Sequence, residues 1–159
     1  MRKLASILNS VMVDTVENGV IGQMPVIQAC NLTDSPIEAQ FMMHVTRYDF
    51  VVGLLQDLTL EEAKELAAAN PSRVHVFPQV WIGDFRPDFL FIRNGECLAV
   101  EADGKDWHYD SERQIAKDNL RLATFAKRRV FAMRFLGREI WAECQVAISH
   151  VREFFDMAG

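Results

Sequence analysis

Residues 85–103 read FRPDFLFIRNGECLAVEAD. Two apolar, β-prone runs flank Asn94-Gly95, the strongest short-range hairpin signal. The pattern predicts strands over 85–93 and 96–102 joined by that turn. Asp88 lies six residues before Asn94 and Glu101 six after Gly95, so the two are near cross-strand neighbours. Strand alternation places Glu101 and Asp103 on one face. A carboxylate in so apolar a strand is costly unless it is paired or bound to a cation. Asp88, Glu101 and Asp103 converging at one sheet end form a hard, oxygen-rich site that suits Mg²⁺ or Mn²⁺ and not zinc. The plainer alternative is a solvated sheet end with its acids in a turn.

Upstream, Val74 to Ile82 is β-branched and aromatic, which predicts a third strand and an antiparallel meander. Ser35-Pro36-Ile37-Glu38 is a helix start, with Ser as N-cap, Pro at the first helical position and Glu three after the Ser. That helix is expected to run from Pro36 to about Leu55, with Thr46 to Phe50 as a candidate interruption. Thr59-Leu60-Glu61-Glu62 opens another, stopping near Asn70-Pro71. Apolar positions at Leu4, Ile7, Leu8, Val11 and Met12 predict an amphipathic helix over 1–18, ended by Asn18-Gly19. Downstream, Ser111 to Lys127 is expected to be helical, Arg129 to Phe135 (RVFAMRF) a buried strand, and Glu139 to Met157 a closing helix. The expected order is α, α, α, β, β, β, α, β, α.

At 159 residues the chain is long enough for one sizeable core without staples. Half of it is apolar and a quarter charged, an ordinary globular balance that excludes a mainly disordered or collagen-like chain. No apolar run reaches the ~18 residues needed to span a bilayer. The N-terminus lacks a small-residue cleavage site and is not read as a signal peptide. Cys30, Cys97 and Cys144 are odd in number and far apart, so a reducing cytoplasm is the expected compartment. Net charge is −5, which argues against a generally basic nucleic-acid coat protein. Yet residues 113–138 hold eight basic residues against Asp118 alone, a local +7 that leaves −12 on the rest. Arg113, Lys117, Arg121, Lys127, Arg128 and Arg129 in that stretch are candidate phosphate contacts; the alternative is a solvated helix face.

Residues 35–145 resemble the PD-(D/E)XK nuclease superfamily, most closely its branch related to very-short-patch repair endonucleases. The matching pieces are Ser35-Pro36-Ile37-Glu38, Pro87-Asp88-Phe89, Val100-Glu101-Ala102-Asp103-Gly104, Trp107-His108, the Asp118 to Arg121 helix, and RVFAMRF with Glu139 after it. Pro-Asp alone is weak, whereas the whole ordered series is specific. The resemblance implies an α/β (α+β) restriction-endonuclease-like core, a mixed sheet of about four strands flanked by helices. It divides the chain into an N-terminal helical extension, 1–34, and a nuclease-like domain, 35–159. Asp88 and Glu101 look like the metal-binding pair, with Asp103 beside them. Glu38 resembles the first-helix acid that completes or orients the site. His108 stands where the repair enzymes have a histidine acting on the scissile phosphate or its water. The superfamily's lysine, two residues after the strand acid, is here Asp103, as in many members of this branch. That leaves the water-activating role open among Lys105, His108 and a second metal.

The function expected is therefore a Mg²⁺- or Mn²⁺-dependent endonuclease hydrolysing phosphodiester bonds in DNA. The rivals are a non-catalytic nucleic-acid-binding module and a protein-interaction module on the same fold. Trp107 reads as packing more than base stacking, and Gln79 and Asp84 are weaker site candidates. Cutting both strands needs two sites, so a homodimer through the apolar stripe of the first 34 residues is one expectation, and packing of that stripe on the chain's own sheet is the other.

Overall fold

The computed structural model describes residues 12–17, 20–103 and 111–157. It is a mixed α/β structure. Among the described residues the elements are β1 (Met12–Glu17), β2 (Val20–Pro25), α1 (Val26–Cys30), α2 (Pro36–Val45), β3 (Phe50–Gly53), α3 (Leu60–Ala68), β4 (Val74–Pro78), β5 (Phe89–Arg93), β6 (Glu96–Asp103), α4 (Glu112–Lys127), β7 (Val130–Leu136) and α5 (Gly137–Phe154). The strands form one seven-stranded sheet in the order β2-β1-β3-β4-β5-β6-β7. The meander β4-β5-β6 is antiparallel, and β7 joins β6 in parallel through the crossover helix α4.

Local chemistry explains much of this. Asn94 (φ 49°) and Gly95 (φ 82°) both adopt the left-handed region, as a two-residue hairpin turn of the tight primed type requires. The turn fixes Arg93 opposite Glu96 and Phe89 opposite Val100. Ser35 caps α2, with Pro36 at its first position. Thr59 and Glu62 close a reciprocal capping box at the start of α3.

Side chains alternate across the sheet into two cores. Phe89, Phe91, Leu98, Val100 and Ala102 pack with residues of α1, α2 and α5 on one face. Leu90, Ile92, Cys97 and Ala99 pack with α3, with Phe125 of α4, and with Val80 and Ile82 of the β4–β5 connection on the other. Helices thus cover both faces of the sheet.

Three expectations change. The sheet has seven strands, not about four, because β1, β2 and β3 extend it beyond the meander and β7. The helix expected over 1–18 is a strand over its described part, 12–17; residues 1–11 lie outside the described residues. Val13, Thr15 and Val16 are buried there, and Glu17 pairs with Val20 across Asn18-Gly19, the same dipeptide that joins β5 to β6. Of the apolar stripe on which the dimer expectation rested, Val16 is buried in the chain's own sheet while Met12 is exposed. The helix from Pro36 ends at Val45 and does not continue to about Leu55. Phe50 to Gly53 is a fully buried strand between β1 and β4, and a Cβ on Gly53 would come within 2.2 Å of the Phe77 ring. β-branched Val51 and Val52 gain more from this central position than from a helix turn.

Candidate active site

The site lies at the end of the sheet where β5 begins and β6 ends. Asp88 precedes β5, and the register that pairs Phe89 with Val100 carries on to place it beside Glu101. Its Oδ2 accepts the Ala102 N–H at 2.8 Å. Burial is the largest influence on Asp88 and pushes its carboxyl up from 3.8 to about 7. The Ala102 hydrogen bond acts against that shift, while the charges of Glu38, Glu101 and Asp103 add to it.

Glu38 reaches the same sheet end from α2 and is buried. Its Oε1 accepts Gln79 Nε2 at 2.6 Å and its Oε2 accepts the Ser35 hydroxyl. Gln79 is itself buried and has φ 62°, an uncommon conformation for a residue other than glycine. Its own N–H donates to the Asp88 carbonyl at 3.2 Å. Gln79 therefore ties the helix acid to the strand acid, a larger role than its sequence signal indicated. The cue was a polar residue at the end of an apolar strand.

Alternation turns Glu101 and Asp103 towards α4. Arg121 of α4 pairs with Glu101, and its Nη2 lies 3.1 Å from Asp118 Oδ1. Arg134 of β7, directly opposite Glu101 in the register, places Nε 2.9 Å from Asp103, and Nη2 3.0 Å from Asp118 and 3.4 Å from Glu101. These five side chains are only 13–18% exposed. The two arginines hold the Asp118 carboxyl below its ordinary range against the opposing effect of burial. A cavity of about 190 Å³ adjoins the cluster, lined by Phe85, Glu101, Gln114, Lys117, Asp118, Arg121 and Arg134. In the sequence both fall in the basic stretch 113–138, with Arg121 a candidate phosphate contact; the structure pairs both with the site acids. A charged residue inside RVFAMRF was the available signal.

Comparison with protein-family models, curated proteins and solved structures finds no match for this chain.

Lys105 and His108, expected to act on water or phosphate, lie outside the described residues, as does Trp107. Asp84 is exposed in the β4–β5 connection. Arg113 and Lys117 are exposed on the first half of α4. Lys127, Arg128 and Arg129 are exposed at its far end, where β7 starts opposite Cys97. Glu139 accepts the Leu136 N–H at 2.7 Å and so serves the start of α5. Among the described residues no helix is long and apolar enough to cross a membrane.

The donor set suits a hard divalent cation. Asp88 is desolvated amid three like charges, an excess of negative charge that a cation relieves. Among the described residues, however, no group of three acids, histidines or cysteines is already gathered around a cation position. Glu101 and Asp103 are engaged by guanidinium groups instead.

Proposed function

We propose that the protein is a divalent-metal-dependent endonuclease of the restriction-endonuclease-like type that hydrolyses phosphodiester bonds in DNA. The observation that carries this reading is the position of half-buried Asp88 beside Glu101, with Asp103 and Glu38 close enough to raise its pKa. The succession β4-β5-β6-α4-β7, with its antiparallel meander and parallel last strand, supports the resemblance read from residues 35–145.

Asp88 and Glu101 would hold Mg²⁺ or Mn²⁺, with Asp103 beside them. When bound, the ion polarises the phosphate and lowers the pKa of an attacking water. Glu38, through Gln79, fixes the backbone from which Asp88 projects. The Ala102 N–H keeps one Asp88 oxygen in place. His108 is the residue proposed to take or give the proton, and Lys105 to supply the cation that the motif has lost; both roles rest on sequence. Arg113, Lys117, Lys127, Arg128 and Arg129 are proposed to contact backbone phosphates, which positions a duplex without reading its bases.

The ion pairs on Glu101 and Asp103 favour a second reading, a non-catalytic nucleic-acid-binding module whose acids serve the fold. One assay separates the two. Purified protein is incubated with supercoiled, linear and mismatched DNA, and with RNA, in Mg²⁺, Mn²⁺ or chelator. Metal-dependent cleavage of DNA is expected, with losses of orders of magnitude in Asp88→Ala and Glu101→Ala that remain folded. Binding without cleavage in both metals, or a double variant that cuts as well as wild type, would reject the nuclease.

A further inference from the structure

Guanidinium groups and a metal ion compete for the same carboxylate oxygens. Arg121 occupies Glu101 Oε1, while Arg134 spans Asp103 Oδ2 and Glu101 Oε2. A hard cation at Asp88 and Glu101 needs some of those lone pairs. Releasing an arginine into a partly buried space with no partner would be strongly unfavourable. Here the second partner is already in contact. Asp118 Oδ1 accepts from Nε and Nη2 of Arg121 at 3.3 and 3.1 Å, and from Nη2 of Arg134 at 3.0 Å. The adjoining cavity gives both side chains room to turn away from Glu101.

Resting on the metal-site reading above, we propose that Arg121 and Arg134 hold Glu101 and Asp103 in an arginine-bound state that a divalent cation displaces, and that Asp118 retains both arginines when it does. Asp118 is then a positioning residue. It touches neither metal nor substrate, but it sets how readily the site acids are surrendered. The two kinds of substitution should act with opposite sign. Arg134→Gln removes the competitor and should tighten cation binding. Asp118→Asn removes the alternative acceptor, drives both arginines onto Glu101 and Asp103, and should weaken it.

The test is Mn²⁺ titration of the whole chain without DNA, read as loss of the free-ion electron paramagnetic resonance signal. Arg134→Gln is expected to bind about tenfold tighter than wild type and Asp118→Asn about tenfold weaker, the order of one close charge contact largely screened by water. Arg121→Gln should also tighten binding and replaces Arg134→Gln should that variant not fold. Arg138→Gln carries the same charge change on an exposed side chain close by and should leave affinity within about twofold. Equal tightening in Arg138→Gln and Arg134→Gln would mean a general field effect and overturn the proposal. So would shifts of the same sign in Asp118→Asn and Arg134→Gln, the mark of a merely structural network. Wild type that binds Mn²⁺ without these opposite shifts rejects only the exchange. Failure of wild type and both arginine variants to bind any Mn²⁺ rejects the metal site and the exchange together.

Discussion

Asp88 is the carboxyl on which the proposed metal site turns. Burial and three neighbouring acids raise it from 3.8 to about 7, so the metal-free fold prefers it neutral. The folded chain then holds a proton that the unfolded chain has released, between about pH 4 and pH 7. Its contribution to stability is full below the unfolded value and is lost as pH rises through the folded one. In chelator, the melting temperature of wild type should therefore fall between pH 5 and pH 8, and Asp88→Asn should remove most of that fall. Identical pH slopes in the two proteins would refute the assignment. Saturating Mn²⁺ should raise stability most at the alkaline end, where Asp88 is ionised. Gln79 gives a second test at this scale. Gln79→Ala strips the donor from a buried Glu38 oxygen and should cost about 1–3 kcal/mol in urea unfolding. Gln79→Gly loses the same bond but accepts the positive φ freely, and should cost about 1 kcal/mol less. Equal losses would mean the backbone there is not under strain.

The β5–β6 hairpin is the element that assembles the site. Its two-residue turn sets the register, and the register sets which face Glu101 presents. Gly95 has open space around it, so Gly95→Ala meets only the cost of a left-handed alanine, about 1 kcal/mol, and should keep metal binding. Inserting one residue after Gly95 is different in kind. Realigned from the turn onward, β6 would turn Glu101 and Asp103 away from α4 and bring Val100 and Ala102 towards Arg121 and Arg134. Mn²⁺ binding should vanish in that variant, while circular dichroism still reports a mixed α/β protein. Retention of wild-type affinity would show that β6 is aligned by β7 and not by the turn.

Across the whole molecule, charge is arranged along α4. The helix starts after the site end of β6 and finishes at the hairpin end, where Val130 pairs with Cys97. Lys127, Arg128 and Arg129 are therefore displaced from Asp103 by the six-residue run of β6 back to Cys97, about 20 Å along the strand direction. A bound duplex would have to bridge that distance, with Arg113 and Lys117 nearer the acids. Replacing Lys127, Arg128 and Arg129 together should flatten the salt dependence of DNA binding by roughly one unit per lost phosphate contact, without changing Mn²⁺ affinity. An unchanged slope would leave the cluster as cations placed favourably at a helix C-terminus.

The sequence by itself determined the features whose physics is local. Asn94-Gly95 dictates its turn because few other residues adopt two consecutive positive φ values, and the turn's symmetry brings Asp88 opposite Glu101. Ser35 and Thr59 announce their helices because a cap needs only residues three apart. Tertiary structure decided the rest. Residues 12–17 and 50–53 carry apolar patterns that fit helix or strand, and only burial between or beside other strands chose strand. In the sequence Arg121 and Arg134 are two more cations in the basic stretch 113–138. Their partners lie 20 and 33 residues away at Glu101, a pairing that no local rule contains. Gln79 needed α2 folded back over the sheet before it could meet Glu38, 41 residues upstream. Turns and caps are settled within a few residues, whereas a buried charge finds its partner only when the sheet and helices have set the distance between them.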